Sequence, residues 1–154
     1  MSYFDNAATT YPKPDAVYSF MDSFYRNHGG SVGRGGYALA TTAKGLVDET
    51  RKLIQELMHC HAKQVIFTPT ATIALNMIIQ GAIVSGARSV YISPFEHNAV
   101  TRVLHHFEQL GQITVTELTV SESLEYDMVR IRYQFDAIRP DLVIVSHASN
   151  VIGL

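Results

Sequence analysis

The sequence predicts an α/β fold with a mainly parallel sheet, and three observations carry that expectation. From residue 64 onward, short apolar runs alternate with amphipathic ones in the order β-α-β-α-β-α-β, the pattern of a parallel sheet with crossover helices. Polar segments follow three of the predicted strands, at 68–72, 94–98 and 147–150, where α/β sheets place their ligands. The 154 residues, 47% of them hydrophobic, suffice for one domain with a real core.

The elements follow in order. Pro14 opens a helical pattern with apolar Val17, Phe20, Met21 and Phe24 at i, i+3, i+4 and i+7. The glycine-rich stretch 28–36 (HGGSVGRGG) ends it. A second helix is predicted over 42–58, with Ala43, Leu46, Val47, Leu53, Ile54, Leu57 and Met58 on one stripe. Residues 64–68 read as a short apolar strand, and 70–85 as a helix apolar on most sides and therefore buried. Strand 89–93, helix 97–110 and strand 113–118 come next. Residues 127–138 suit a helix capped by Asp127 with Ile131, Phe135 and Ile138 inward, although the alternation of Val129, Ile131, Tyr133 and Phe135 also suits a strand. Residues 142–146 form the last predicted strand. These elements suggest an N-terminal helical segment over 1–63 and a sheet domain over 64–154.

Composition narrows the function. A formal charge of -2 argues against a nucleic-acid partner, which needs a basic patch. The most apolar stretch, 71–84, contains Asn76, Gln80 and Gly81 and is too short for a bilayer, so no membrane partner is expected. The N-terminus MSYFDNAATT has neither a basic nor an apolar leader region. The single cysteine, Cys60, fits a reducing, cytoplasmic setting.

Three places could carry chemistry. Pro69 turns the chain after a strand, and a helix begins near Thr70. Free N–H groups there favour a phosphate, and Thr70 and Thr72 add hydroxyls, while an ordinary threonine N-cap explains one of them without a ligand. His97 follows another strand end; it could stack on a flat ring and carry a proton, or it is a polar residue in a first helical turn. Asn150 could donate to a phenolic or carboxylate oxygen, or it is a turn asparagine. His59, Cys60 and His61 lack the spacing of a metal-ligand set, so no metal is expected. The glycines of 29–36 do not follow a strand and so do not read as a dinucleotide loop.

Five segments, YFDNAATTYPKP (3–14), GRGGYALATTA (33–43), FTPTATIALN (67–76), SPFEHNAV (93–100) and VIVSHASNVIG (143–153), together resemble the class V aminotransferase family in its cysteine desulfurase and selenocysteine lyase branch. The resemblance implies an α/β/α pyridoxal-5′-phosphate (PLP) transferase fold of type I, aspartate aminotransferase-like. It implies removal of sulfur or selenium from cysteine or selenocysteine to give alanine, with a small amino-acid substrate and a homo-oligomeric, homodimeric assembly. Residue by residue, Ala71 and Thr72, with Thr70 beside them, would bind the cofactor phosphate. His97 would stack on the pyridine ring and assist proton transfer, and Asn150 would bond the ring's 3′ oxygen and lie near the substrate carboxylate. Asn6, Ala7 and Ala8 would line the substrate side. Ile73 stands where the family usually has an acidic residue, and Tyr37 where a histidine is common.

The family's cofactor-binding lysine, its pyridine-paired aspartate, its persulfide cysteine and its carboxylate-gripping arginine come later and map onto nothing here. The chain as given is therefore expected to be a partial large domain holding the first four strands, inactive by itself. The family's strand order 3-2-4-5-6-7-1 would leave strand edges bare, so self-association is expected. The competing readings are a non-catalytic module for a phosphorylated ligand and an interaction fragment completed by a second chain.

Overall fold

Parallel pairing needs crossover helices, and here it has them. The computed structural model describes residues 2–6, 8–33 and 35–149, and divides into two compact units, Met1–Phe67 and Thr68–Leu154.

The first unit holds helices α1 (Asp15–His28) and α2 (Ala38–Leu57), which pack on each other. Pro14 stands at the N-cap of α1, and α2 begins at Ala38, ahead of the expected 42. Only Ala40 and Ala43 of these helices are buried; Val17, Phe20 and Met21 stay exposed, so the amphipathic face of α1 finds no core.

The expected strand at 64–68 does not form. One of its backbone acceptors is taken by α2 instead: Arg51 Nε donates to the Val65 carbonyl at 3.2 Å, while the Gln55 amide donates to the Lys63 carbonyl just before the segment. The Arg51 guanidinium also lies over the Phe67 ring, 5.6 Å from its centre. A strand is a paired object, and no described strand runs alongside these residues.

The second unit contains α3 (Ala71–Val84), β1 (Ser89–Ile92), α4 (Asn98–Gln109), β2 (Thr114–Glu117), α5 (Met128–Ala137) and β3 (Leu142–Ile144). The three strands form a parallel sheet in the order β2-β1-β3, with Val90 opposite Val115 on one side and Leu142 on the other. In the family's strand numbering this is the run 3-2-4.

Side chains of β1 alternate between two cores, as the strand period requires. Val90 and Ile92 pack with Ile79 and Ile83 of α3 and with Val100, Val103 and Leu104 of α4. Tyr91 packs on the other face with Ile131 of α5 and with Leu118. Its hydroxyl donates toward the carbonyls of Gln134 and Ile138, both at 2.9 Å, and so holds the end of α5. Helices therefore lie on both faces of the sheet. Residues 128–137 are helical, with the Asp127 carboxylate accepting the Arg130 amide at 3.0 Å.

The expectation that α3 is buried all round is corrected. Ile79 and Ile83 are buried, but Ile73, Met77, Ile78 and Val84 are exposed. Only one side of α3 meets the sheet and α4; its remaining apolar side has no covering element among the described residues of this unit. Ile138, expected inward, is likewise exposed. Among the described residues, no helix is long and apolar enough to cross a membrane.

Candidate functional site

Two helices of the second unit begin beside each other, and each N-terminus is built by the residue singled out in the sequence. Thr70 has extended backbone (φ -148°, ψ 157°) before α3, and its Oγ1 accepts the Ile73 amide at 3.2 Å. Its carbonyl accepts the Ala74 amide at 3.1 Å. The hydroxyl of Thr70 is thus spent on the cap, as the plain reading of a threonine there has it. The amides of Ala71 and Thr72 remain, since the first turn offers them no helical acceptor. Thr68 Oγ1 donates to the Thr70 carbonyl at 3.0 Å and fixes the turn through Pro69.

His97 plays the same part for α4. It is extended (φ -72°, ψ 151°), and its Nδ1 accepts the Ala99 amide at 3.0 Å. An acceptor at Nδ1 puts the proton of the neutral ring on Nε2. The ring is exposed, and it lines a cavity of about 330 Å³ together with Thr72, Asn76, Asn98, Arg102 and Val103. Thr72 and His97, expected to act together, therefore share one cavity wall. Asn76 joins the two helices: its Nδ2 donates to the Thr72 carbonyl at 2.9 Å and reaches the Ala99 carbonyl at 3.5 Å.

Asn6 and Ala8 belong to the unit Met1–Phe67 and are exposed; Asn6 Oδ1 accepts the Tyr11 amide at 3.2 Å. Ala7 and Asn150 lie outside the described residues.

Sequence reasoning passed over Glu96. Its carboxylate accepts the Ser93 hydroxyl at 2.6 Å, the Ser146 amide at 2.6 Å and the Ser146 hydroxyl at 2.9 Å. One side chain thus joins the segment after β1 to the segment after β3. A signal was present: Ser93 and Glu96 have the spacing of a capping box, serine followed three residues later by glutamate. All four lysines, Lys13, Lys44, Lys52 and Lys63, fall before residue 68, so the second unit contains no amine side chain.

Comparison with known proteins accords with this geometry. Two relatives called cysteine desulfurase IscS match nearly the whole chain. The one from Dictyoglomus turgidum is 30% identical over 98% of this chain and 38% of its own length. The one from Anaeromyxobacter sp. is 29% identical over 99% of this chain and 38% of its own length. The chain thus spans only 29% to 38% of the length of curated relatives it matches. The fold matches an apo cysteine desulfurase from Thermococcus onnurineus NA1 with a TM-score of 0.85 at 23% identity, covering 96% of this chain and 37% of that one. The family model Aminotransferase class-V matches residues 2–154, and the chain belongs to that family.

Proposed function

We propose that this chain is the N-terminal part of a PLP-dependent enzyme that removes sulfur or selenium from cysteine or selenocysteine and leaves alanine. The relatives named as cysteine desulfurases support the reaction class, and the length match supports a part of such an enzyme. The observation that carries the cofactor reading is the shared cavity wall of Thr72 and His97, with the amides of Ala71 and Thr72 beside it.

The donors present fit a phosphorylated ring. Two amides without helical acceptors, at the positive end of α3, suit a phosphate dianion. The Thr72 hydroxyl has no partner among the described residues and adds a third donor. The exposed imidazole of His97 offers a flat face for stacking. Bound PLP would supply the electron-withdrawing ring that lets bonds at an amino acid's α-carbon ionise.

This chain's own residues bind and orient. Ala71 and Thr72 hold the phosphate, while Thr70 keeps the helix end closed. His97 stacks on the ring. Its Nδ1 is occupied by the Ala99 amide, so the neutral imidazole offers its Nε2–H as a hydrogen-bond donor. Asn150 is assigned to the ring's 3′ oxygen and the substrate carboxylate, and Asn6, Ala7 and Ala8 to the substrate side, on the family resemblance of their segments. The reading extends to a cytoplasmic homodimer, with the lone cysteine fitting a reducing compartment.

Equilibrium dialysis against PLP and against unphosphorylated pyridoxal tests the site. Each amide or hydroxyl bonded to a charged phosphate contributes about 1.5–3 kcal/mol. PLP should therefore bind at least about tenfold more tightly than pyridoxal, and Thr72→Ala should reduce that margin. Equal retention of the two compounds would defeat the reading.

A further inference from the structure

Glu96 is a carboxylate whose oxygens are held from two strand ends at once. Oε1 accepts the Ser93 hydroxyl and the Ser146 amide, both at 2.6 Å, and Oε2 accepts the Ser146 hydroxyl at 2.9 Å. Ser93, immediately after β1, is 1% exposed, and its Oγ also accepts the Phe95 amide at 3.2 Å. Ser146 follows β3, the strand beside β1. Among the described residues no lysine, arginine or histidine pairs with Glu96. The charge is met entirely by neutral donors, in short bonds of the charge-assisted kind.

We infer that Glu96 is a positioning residue for His97. The two residues share a peptide bond, and His97 is where the chain passes from a loop into α4. Upstream, three bonds to Glu96 fix the backbone at 96; downstream, the Ala99 amide fixes the imidazole through Nδ1. Orientation of the ring, and of its Nε2–H, is thus set from both sides. The same carboxylate carries the position of β3's end to His97, so the segment leading toward Asn150 and the histidine move as one. A merely structural bond between two strands would not require the residue adjacent to the ring. The ligand consequence rests on the PLP reading above, while the effect on His97 does not.

The test uses the isotope-labelled 154-residue chain with Glu96→Ala, Glu96→Gln and Ser146→Ala. Two quantities are read: hydrogen exchange at the Ala99 amide, and the ratio of affinities for PLP and inorganic phosphate. Glu96→Ala should speed Ala99 exchange roughly tenfold and cut the affinity ratio by a similar factor, since ring stacking suffers and phosphate binding at Ala71 and Thr72 does not. The ladder amides of Thr114 and Leu118 should keep their protection. Glu96→Gln should recover most of both effects, because its carboxamide still accepts the Ser146 amide and can donate to the Ser146 hydroxyl. Ser146→Ala, which deletes one bond, should give an effect about threefold in size.

Native Ala99 exchange in Glu96→Ala with an intact ladder overturns the proposal. If Glu96→Ala loses its ladder protection, native exchange at Ala99 in Ser146→Ala overturns it instead. A response at Ala99 in a chain that never prefers PLP to phosphate leaves Glu96 as the positioner of His97 and removes the PLP reading.

Discussion

Asp141 and Ser89 clasp each other where β1 and β3 begin: Oδ2 of Asp141 accepts the Ser89 amide at 2.9 Å, and the Asp141 amide donates to the Ser89 carbonyl at 2.9 Å. The same oxygen accepts the Arg88 amide at 2.8 Å. This clasp sets the register of β3 on β1 at the end opposite His97.

The clasp makes stability depend on acid. The Ser89 and Arg88 amides hold the Asp141 carboxyl below its ordinary value of 3.8. The ionised form is therefore favoured in the folded chain. Its stabilising effect is complete above the unfolded value and disappears as pH falls through the lower folded one. Asp141→Ala should be less stable than the parent at pH 7, and the two should converge below pH 3.8. Urea unfolding across that range reads the convergence; parallel pH curves would contradict it.

Glu108 guards the open edge of the sheet. Its Oε1 accepts the Val115 amide at 3.1 Å, a group that would otherwise face outward from edge strand β2. An uncovered strand edge recruits other chains. Glu108→Ala should shift sedimentation toward larger species at a given concentration, and Glu108→Gln should shift it less. Identical profiles for all three would show that the edge is not a site of association.

Helix α3 offers a contrast between neighbours. Ile79 is 1% exposed and Ile78 is 63% exposed. Ile79→Ala should cost about 2–5 kcal/mol, from lost burial and a cavity among Val90, Val100 and Leu104. Ile78→Ala should fall within about 0.5 kcal/mol. Thermal unfolding of the two variants distinguishes them, and equal losses would mean that the other side of α3 is covered.

Much of this was legible because it follows from period and punctuation. The strand at 89–93 and the caps at Thr70 and Asp127 are local features, and the structure forms them where the residues indicate; His97, read as a first-turn residue, instead caps α4. What could not be read depends on partners distant in sequence. Residues 64–68 have the apolar content of a strand, but pairing decides, and Arg51 takes the Val65 carbonyl instead. The apolar content of α3 predicts burial without saying whether a second covering element is present. The spacing of Ser93 and Glu96 is a local signal for one of Glu96's bonds, but its other partner, Ser146, is fifty residues away, and nothing local signals that bond.

Thr70 and Thr72 should separate stability from binding. Thr70 Oγ1 caps α3, so Thr70→Ala should cost about 1 kcal/mol of stability while changing phosphate affinity little. Thr72→Ala should leave the melting temperature nearly unchanged and weaken PLP about tenfold. Calorimetry on both variants measures the two quantities, and a reversed pattern would exchange their roles.

The most direct measurement of the central claim is an NMR titration of the labelled chain with PLP, with inorganic phosphate as comparison. The account predicts that both ligands move the Ala71 and Thr72 amides, and that PLP alone also moves the His97 ring. A PLP response centred instead on the separate cavity of His105, Glu108 and Glu117, with Ala71, Thr72 and His97 unmoved, would contradict it.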